Sequence, residues 1–332
     1  MTNGGDAAAR PSEEHDPDDR SGEQPSPARH LAIIGATASG KSALALALAR
    51  RRPDVELVSV DSMQVYRGMD IGTAKPTPAE RAEVPHHLID LVDPDEDFTV
   101  ARFQAAFRDA LAGIEARGHW AVLVGGTGLY LRAVIDDLDI PGQYPEVRAA
   151  LEAEAPENGD PATVAPLHER LTTLDPTAAA RMEPTNRRRI IRALEVTQGS
   201  GRPFSSYGPG LDAYPPTPFA LLGLRLPAEE TAARIGARYE QQLAAGFVDE
   251  VRRLAARPEG LSRTARQALG YRELLAHVED GLPLADAVEQ AVAATRRFAR
   301  RQRSWFRRDP RITWADATQD GGRLLAAVLR DW

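Results

Sequence analysis

A glycine-rich turn near the beginning of the chain limits what the chain can fold into. The turn runs from Gly35 to Ser42 and reads Gly, four residues, Gly-Lys-Ser, where the four residues are Ala36, Thr37, Ala38 and Ser39. The apolar run 31–34 before it predicts a β-strand, and the run 43–52 after it consists of strong helix formers and arginines. A strand that passes through such a turn into a helix is typical of an α/β fold with a parallel sheet.

The same turn predicts a binding site for a polyphosphate. Its glycines let the backbone curl so that several N–H groups point inward, and the helix that follows adds the positive end of its dipole. Lys41, which follows Gly40, can reach an outer phosphate, and the Ser42 hydroxyl can ligate Mg²⁺. A strand–helix turn that binds nothing is the alternative. The pattern does not say which polyphosphate is bound.

Composition excludes several classes of protein. The chain has 332 residues and no cysteine, so it has no disulfide, no thiolate metal site and no cysteine nucleophile. No apolar run approaches the ~20 residues of a membrane span. The first residues lack the apolar core of a signal peptide. These features predict a cytoplasmic protein that does not bind membranes.

The distribution of charge points to a polyanionic partner although the net charge is −7. Residues 1–30 hold seven acids and three arginines, so the remainder carries a net charge of only −3. Residues 1–28 are rich in Pro, Gly, Ser and acids and are predicted to be a disordered tail. Arginines concentrate in two stretches, 181–192 and 296–308, and such local charge favours binding of a nucleic acid.

Two further predicted strands end in polar or glycine-rich residues. Asp61 follows the strand 55–60, where it is either a ligand-binding carboxylate or a turn-capping residue. Thr127 lies in the glycine-rich segment after the strand 121–124, on the same edge as the phosphate loop. The adjacent histidines His86 and His87 are expected to have a structural role, because side chains next to each other along the chain point apart.

The middle of the chain is predicted to be a helical insertion. Residues 138–215 show prolines and alanine-rich helical stretches but no strand pattern, and a strand pattern returns at 219–226. Helices are predicted near 98–117, 228–256, 265–278 and 284–308. The predicted organisation is therefore a catalytic core of residues 29–137 and 216–332, interrupted by a helical domain of residues 138–215.

Several longer motifs, taken in order, resemble the tRNA dimethylallyltransferase family, which is also called the tRNA isopentenyltransferase or IPP transferase family. After the phosphate loop come the segments DSMQVYRGMDIGTAKP (61–76), PHHLID (85–90), VGGTGLY (124–130), RALEV (192–196) and GYRE (270–273). The segment 295–307 follows, with Gln302 and Trp305. The resemblance extends from about residue 30 to residue 308.

The resemblance implies a fold and a reaction. The implied fold is a P-loop nucleotide-kinase-like parallel sheet core with an inserted all-helical domain that grips the anticodon stem-loop of tRNA. The implied reaction transfers a dimethylallyl group from dimethylallyl diphosphate to the N6 amine of the adenosine on the 3′ side of the anticodon. The polyphosphate is then the prenyl diphosphate rather than ATP, the cofactor is Mg²⁺, and the protein acts as a monomer.

The resemblance also assigns roles to individual residues. Asp61 would be the general base, Lys41 and Arg238 would meet the diphosphate, and Ser42 would bind the metal ion. The predicted catalytic set is completed by Thr127. Contacts with tRNA would come from Asp61, Ser62, Met63, Gln64, Thr127, Arg148, Arg188, Arg189, Ile190, Ile191, Arg192, Gln267, Gly270, Tyr271 and Arg272.

Three other functions share part of these features. A small-molecule kinase would use the phosphate loop for ATP, but it does not account for the two arginine-rich stretches. A prenyltransferase acting on free adenine nucleotides would need the core without the insertion. An RNA-binding protein without enzymatic activity leaves the phosphate loop unexplained.

Overall fold

Six parallel strands form one sheet in the computed structural model, which describes residues 30–157 and 159–332. The strands are β1 (His30–Gly35), β2 (Val55–Val60), β3 (His86–His87), β4 (Trp120–Gly125), β5 (Phe219–Arg225) and β6 (Thr313–Asp316). Their order across the sheet is β3-β2-β4-β1-β5-β6, and every neighbouring pair is parallel. The predicted parallel α/β sheet is thereby confirmed. The predicted tail, residues 1–28, lies outside the described residues.

Helices connect the strands and cover both faces of the sheet. In chain order they are α1 (Lys41–Arg51), α2 (Pro78–Glu83), α3 (Val100–Ala116), α4 (Gly128–Ile135), α5 (Pro145–Glu154), α6 (Val164–Leu174), α7 (Pro176–Ala180), α8 (Arg187–Ser200), α9 (Ala228–Ala244), α10 (Phe247–Ala255), α11 (Arg263–Arg266), α12 (Tyr271–Asp280), α13 (Leu284–Phe306) and α14 (Gly321–Asp331). Short 3₁₀ turns occur at Pro161–Thr163 and Phe204–Ser206.

Strand β1 shows how the sheet separates two hydrophobic cores. Successive side chains of a strand point to opposite faces, so Ala32 and Ile34 join one core and Leu31 and Ile33 join the other. The first core includes apolar residues of α3, α4, α9, α12 and α13, and the second includes those of α1 and α14. Burial on both faces fixes β1, and with it the start of the phosphate loop.

The helices α5 to α8 build a third hydrophobic cluster that is separate from the sheet. Its buried members include Leu151, Leu167, Leu171, Ile190 and Leu194. Between α4 and β5 the described residues contain helices and no strand, as the pattern predicted. The exact domain boundaries at 138 and 215 stay a prediction.

The C-terminal residues contain two elements that the sequence analysis did not anticipate. Strand β6 pairs with β5 at the edge of the sheet, and α14 packs against α1 through Leu324, Leu325 and Val328. Trp332 meets Trp120 edge to face, with 5.4 Å between the ring centroids. The last residues therefore complete the second core.

Candidate active site

A cavity of about 1130 Å³ opens at the carboxyl ends of β1, β2 and β4. Parallel strands end at the same edge of a sheet, so residues that are distant in sequence converge there. The phosphate loop forms one wall, Asp61 and Gln64 lie beyond the end of β2, and Gly125 ends β4 with Gly126 directly after it. The cavity therefore unites three of the segments that the sequence singled out.

The phosphate loop adopts the tight conformation that its glycines permit. Gly40 has a φ of 91° at the start of α1, in the left-handed region that favours glycine. A Cβ added at Gly35 would lie 2.8 Å from the carbonyl oxygen of Leu224 on the neighbouring strand, which excludes any larger residue there. The Lys41 ammonium donates a hydrogen bond to the Ala36 carbonyl at 2.7 Å.

Asp61 influences the two cations that lie beside the phosphate loop, Lys41 and Arg238. Burial and the nearby Arg238 lower the pKa of Lys41 to about 8, although the charge of Asp61 acts in the opposite direction. Burial likewise lowers the pKa of Arg238, and Asp61 again opposes the shift. An anion with several charges bound beside these side chains would stabilise both in their charged forms.

Arg238 and Gln302 contact the phosphate loop from helices near the other end of the chain. Arg238 on α9 donates to the Thr37 hydroxyl at 3.4 Å. Gln302 on α13 lies between the two glycine-rich segments and donates to the Gly126 carbonyl at 2.8 Å. The sequence analysis assigned no site role to Gln302, although Gln302 stands in one of the family motifs.

Asp61 caps a turn and also lines the cavity, so its predicted role as a ligand-binding carboxylate stays a prediction. Its Oδ1 accepts a hydrogen bond from the backbone N–H of Met63 at 2.8 Å, which is the contact expected of a turn-capping residue. Asp61 also lines the cavity and influences Lys41 and Arg238. The Thr127 hydroxyl accepts from the N–H of Ser62 at 3.3 Å, so Thr127 holds the same turn.

The segment after Asp61 is folded back by the side chain of Gln64. The Ser59 hydroxyl donates to the side-chain oxygen Oε1 of Gln64 at 2.7 Å. The side-chain nitrogen Nε2 of Gln64 donates to the backbone carbonyl of Thr73 at 3.1 Å. A further bond joins that amide to the Ala74 carbonyl at 3.3 Å. Met63 is partly buried against the first core. Gln64 therefore lines the cavity while it ties the two ends of the segment 64–74 together.

The predicted tRNA-contact residues of the insertion fall into two groups. Arg188 and Arg189 lie exposed on α8, and neither forms an ion pair with a described residue. By contrast, Ile190 and Ile191 are buried in the third hydrophobic cluster, which makes their side chains unavailable for contact in this arrangement.

Two arginines that were also predicted to bind tRNA point to one buried carboxylate of the insertion. Arg192 donates to Glu195 at 2.7 Å and to the Pro141 carbonyl at 2.8 Å. Arg148 lies 3.6 Å from the other Glu195 oxygen and also donates to Glu152. Both arginines remain partly accessible at the surface, so the contacts with Glu195 fix where their guanidinium groups lie.

The segment 267–272 has a similar division. Tyr271 is 1% exposed, and its hydroxyl donates to Glu250 at 2.6 Å. Gly270 has a φ of 85° and is the N-cap of α12, where the Glu273 side chain accepts a hydrogen bond from its N–H at 2.9 Å. Arg272 pairs with Glu273, and Gln267, which follows α11, is exposed. Arg272 and Gln267 are therefore the members of this run whose side chains can reach a partner.

The donor set fits one metal ligand from the protein. The Ser42 hydroxyl is exposed, lines the cavity and has no hydrogen-bond partner among the described residues. Oxygen is the ligand that Mg²⁺ prefers, and Mg²⁺ commonly takes its other ligands from water and substrate phosphates. No cluster of three or more His, Asp and Glu within residues 30–157 and 159–332 could hold a metal ion by itself. A cation bound at Ser42 would therefore need further ligands from water or from a bound anion.

Within the described part of the chain, no helix has the length and apolar character needed to cross a membrane. The parallel sheet, the phosphate-loop motif after β1 and the cavity at the carboxyl edge of the sheet define a P-loop-like α/β fold.

Known proteins with similar sequences identify the family within this fold class. Residues 64–309 match the family profile described as IPP transferase, and residues 28–90 match the profile described as isopentenyl transferase. The chain is 50% identical over 306 residues to the tRNA dimethylallyltransferase of Kineococcus radiotolerans, covering 90% of this chain and 94% of that one. It is 52% identical over 287 residues to the tRNA dimethylallyltransferase of Roseiflexus castenholzii, covering 85% of this chain and 90% of that one.

Solved structures lead to the same family. The tRNA isopentenylpyrophosphate transferase of Bacillus halodurans superposes with a TM-score of 0.65 at 37% identity, over 91% of this chain and 95% of that one. A eukaryotic dimethylallyltransferase acting on tRNA superposes with a TM-score of 0.73 at 26% identity, over 91% and 78%. The chain belongs to the tRNA dimethylallyltransferase family.

Proposed function

We propose that this protein transfers a dimethylallyl group from dimethylallyl diphosphate to the N6 amine of the adenosine on the 3′ side of the anticodon in tRNA. The observation that carries the proposal is the cavity in which Lys41, Arg238 and the phosphate loop face Asp61. The proposed enzyme works as a monomer in the cytoplasm. Family membership and the names of the relatives support tRNA as the acceptor.

The chemistry of the leaving group explains the cationic wall of the cavity. As the bond between the allylic carbon and the diphosphate oxygen breaks, the diphosphate leaves with the bonding electrons and its negative charge grows. Donors that are already oriented toward that charge lower the barrier, because they need no reorganisation during the reaction. Lys41, Arg238 and the N–H groups that follow Gly40 are such donors. Mg²⁺ bound through Ser42 would neutralise further charge on the diphosphate.

The acceptor amine requires a base. The N6 lone pair is delocalised into the adenine ring, so this nitrogen is a weak nucleophile unless a base accepts its proton as the new bond forms. The lone pair forms the new C–N bond, and the N6 proton passes to the Asp61 carboxylate. General base catalysis of this kind contributes about 10²–10⁴-fold. An adenosine in a single-stranded loop can enter the cavity without the cost of opening a duplex.

The exposed arginines favour tRNA over a free nucleotide as the acceptor. Arg188 and Arg189 lie on a helical insertion that a nucleotide-sized substrate would not require. Exposed arginines without protein partners can bind the phosphodiester backbone, and such contacts give RNA binding its affinity and its salt dependence.

The deciding experiment supplies labelled dimethylallyl diphosphate with bulk tRNA, with AMP, or with no acceptor, and measures label in each product. We expect label in tRNA alone. Lys41→Ala should raise the KM for dimethylallyl diphosphate and lower kcat, whereas Arg51→Ala on the exposed face of the same helix should change neither. ATP hydrolysis without prenyl transfer would support the kinase instead, and label in AMP would support the nucleotide prenyltransferase.

A further inference from the structure

Three consecutive backbone N–H groups converge on one carboxylate, and two of the residues that supply them, Asp70 and Ile71, line the cavity. Glu250 on α10 accepts from the N–H of Asp70 at 3.0 Å, of Ile71 at 2.8 Å and of Gly72 at 3.2 Å. The bonds span about 180 residues of sequence. They attach the segment 70–72, which lies far along the chain from α10, directly to that helix.

Glu250 is a buried acid without a cationic partner among the described residues. The residue is 2% exposed, and its remaining hydrogen bond comes from the Tyr271 hydroxyl at 2.6 Å. Burial and the neighbouring Glu250 charge raise the pKa of Tyr271 well above its ordinary value, so the tyrosine stays a donor. Burying a carboxylate is costly unless donors surround it, and here three amides and one phenol do so.

The segment is also held through its carbonyl groups and through packing. Gln242 on α9 donates to the carbonyls of Ile71 at 2.6 Å and Gly72 at 3.1 Å. A Cβ added at Gly72 would overlap the rings of Phe247 and Tyr271, so the backbone lies directly against them. Gln242 lies one helical turn after Arg238, the residue that contacts the phosphate loop.

The segment 70–72 leads directly to the partners of Gln64. The Gln64 amide donates to the carbonyls of Thr73 and Ala74, and all three residues line the cavity. A displacement of residues 70–72 would move those carbonyls and release the Gln64 side chain. Contacts therefore run from the Glu250 carboxylate through the segment 70–74 to the Gln64 side chain, which lines the cavity.

We infer that Glu250 is a positioning residue that fixes the segment 70–74 and, through it, the orientation of Gln64 toward the acceptor base. The inference rests on the proposed function and deepens it. Glu250 lines no part of the cavity itself, so its effect on the reaction is exerted through these contacts.

The test replaces Glu250 with the nearly isosteric Gln. The amide of Gln keeps the shape, but it places its own NH₂ against N–H groups that require an acceptor. We expect kcat/KM for tRNA to fall by about tenfold or more, because small displacements of positioning groups have large effects on rate. The KM for dimethylallyl diphosphate should stay within about twofold, because other contacts hold the phosphate loop.

Two matched variants separate positioning from stability. Glu56→Gln changes another buried acid, on β2, whose partners lie at a different part of the sheet, and Glu240→Gln changes an exposed acid on α9. Both should keep wild-type kinetics at a temperature at which they are folded. A loss of activity in Glu56→Gln equal to that in Glu250→Gln would overturn the inference, because the effect would then follow stability.

A double-mutant cycle with Gln64 supplies a measurement that a purely structural role would leave unchanged. If Glu250 acts through Gln64, then Gln64→Ala should lower kcat/KM for tRNA much less in the Glu250→Gln background than in the wild type. Independent, additive losses would overturn the inference. Should Glu250→Gln fail to fold, Tyr271→Phe replaces it in the cycle, because it removes one of the bonds to Glu250 and should give a smaller loss with the same coupling.

The wild type distinguishes this inference from the proposed function. If the wild-type protein transfers no label to tRNA, the proposed function fails, whatever the variants do. If the wild type is active and Glu250→Gln behaves as Glu240→Gln does, the proposed function stands and the positioning role is wrong.

Discussion

The side-chain oxygen of Gln302 accepts a hydrogen bond from the backbone N–H of Thr37 at 2.8 Å, although 265 residues separate the two in sequence. Through its amide nitrogen the same side chain donates to the Gly126 carbonyl, so it joins the phosphate loop to the glycine-rich segment after β4. Gln302 is 7% exposed and belongs to α13, whose exposed surface includes Arg300 and Arg301. Gln302 therefore links the long basic helix directly to the phosphate loop.

Gln302→Leu should impair diphosphate binding as well as stability. The substitution leaves the Thr37 N–H and the Gly126 carbonyl unpaired in a largely buried position, which costs about 1–3 kcal/mol for each group. We expect a lower melting temperature and a KM for dimethylallyl diphosphate that rises by about tenfold, measured by thermal unfolding and steady-state kinetics. Gln290→Leu, an exposed position on the same helix, is the control and should change neither. If the Gln302→Leu variant has a lower melting temperature but an unchanged KM for dimethylallyl diphosphate, the role of Gln302 is only structural.

Asp61→Asn should separate binding from catalysis. Asparagine keeps the side-chain oxygen that accepts from the Met63 N–H, so the turn should survive. The amide cannot take the N6 proton at neutral pH, so kcat should fall by at least ~10² while both substrates still bind. Single-turnover transfer and equilibrium binding of tRNA are the measurements. Near-wild-type turnover would mean that Asp61 only caps the turn and that another group is the base.

The sequence predicts the local parts of the site well and its long-range contacts poorly. The β1 strand, the phosphate loop and α1 follow from short patterns, because their conformation depends on neighbouring residues. The bonds from Glu250 to the segment 70–72 have no comparable signal, since an isolated Glu on an amphipathic helix resembles any surface acid. Strand β6, only four residues long, was also missed because so short a run carries little periodicity.

In the insertion, the spacing of apolar residues predicts which side chains of α8 are buried. Ile190, Ile191 and Leu194 recur at the helical spacing of an apolar face, which predicts that Arg188 and Arg189 point away from it. The structure has this arrangement. The resemblance to the family implies that all residues of the run 188–192 contact tRNA. Helical periodicity distinguishes the exposed residues of this run from the buried ones.

The two histidines of β3 both contact neighbouring protein groups, and His86 also lines the cavity. His87 lies 2.6 Å from a carboxylate oxygen of Glu56, and His86 lies 2.7 Å from the Val84 carbonyl. Glu56 also accepts two hydrogen bonds from Arg117 and contacts His119 at 2.8 Å. These hydrogen bonds lower the pKa of Glu56 from its ordinary 4.5 to about 2, and the bond with Arg117 has the largest effect.

The Glu56 cluster predicts how stability depends on pH. Because the pKa of Glu56 is lower in the folded protein, its stabilising effect is fully present above about pH 4.5 and is lost as the pH falls toward 2. Glu56→Gln should lower the free energy of unfolding by about 2–3 kcal/mol at pH 7, and the difference from wild type should shrink between pH 5 and 2. Urea unfolding across that range is the measurement. A difference that stays constant with pH would show that packing, not the charge, is responsible.

The last prediction concerns Arg188 and Arg189, which lie at the exposed N-terminal end of α8 without an acidic partner among the described residues. If they bind the tRNA backbone, changing both to Gln should weaken tRNA binding and reduce the slope of log affinity against log salt by up to about one to two units. The KM for dimethylallyl diphosphate should not change, because the phosphate loop belongs to the sheet core.

A charge-matched control makes this measurement specific. Arg170 and Arg330 are exposed or partly exposed arginines that already pair with Glu154 and Asp331. Changing both to Gln alters the net charge by the same amount, but it removes cations whose charge is already compensated locally. Affinity for tRNA across a salt series should therefore fall for the Arg188/Arg189 variant and stay close to wild type for the control. If the plots of log affinity against log salt coincide for wild type and the Arg188/Arg189 variant, these two arginines do not contact RNA. If the Arg188/Arg189 variant and the control lose the same tRNA affinity, the loss is due to net charge alone.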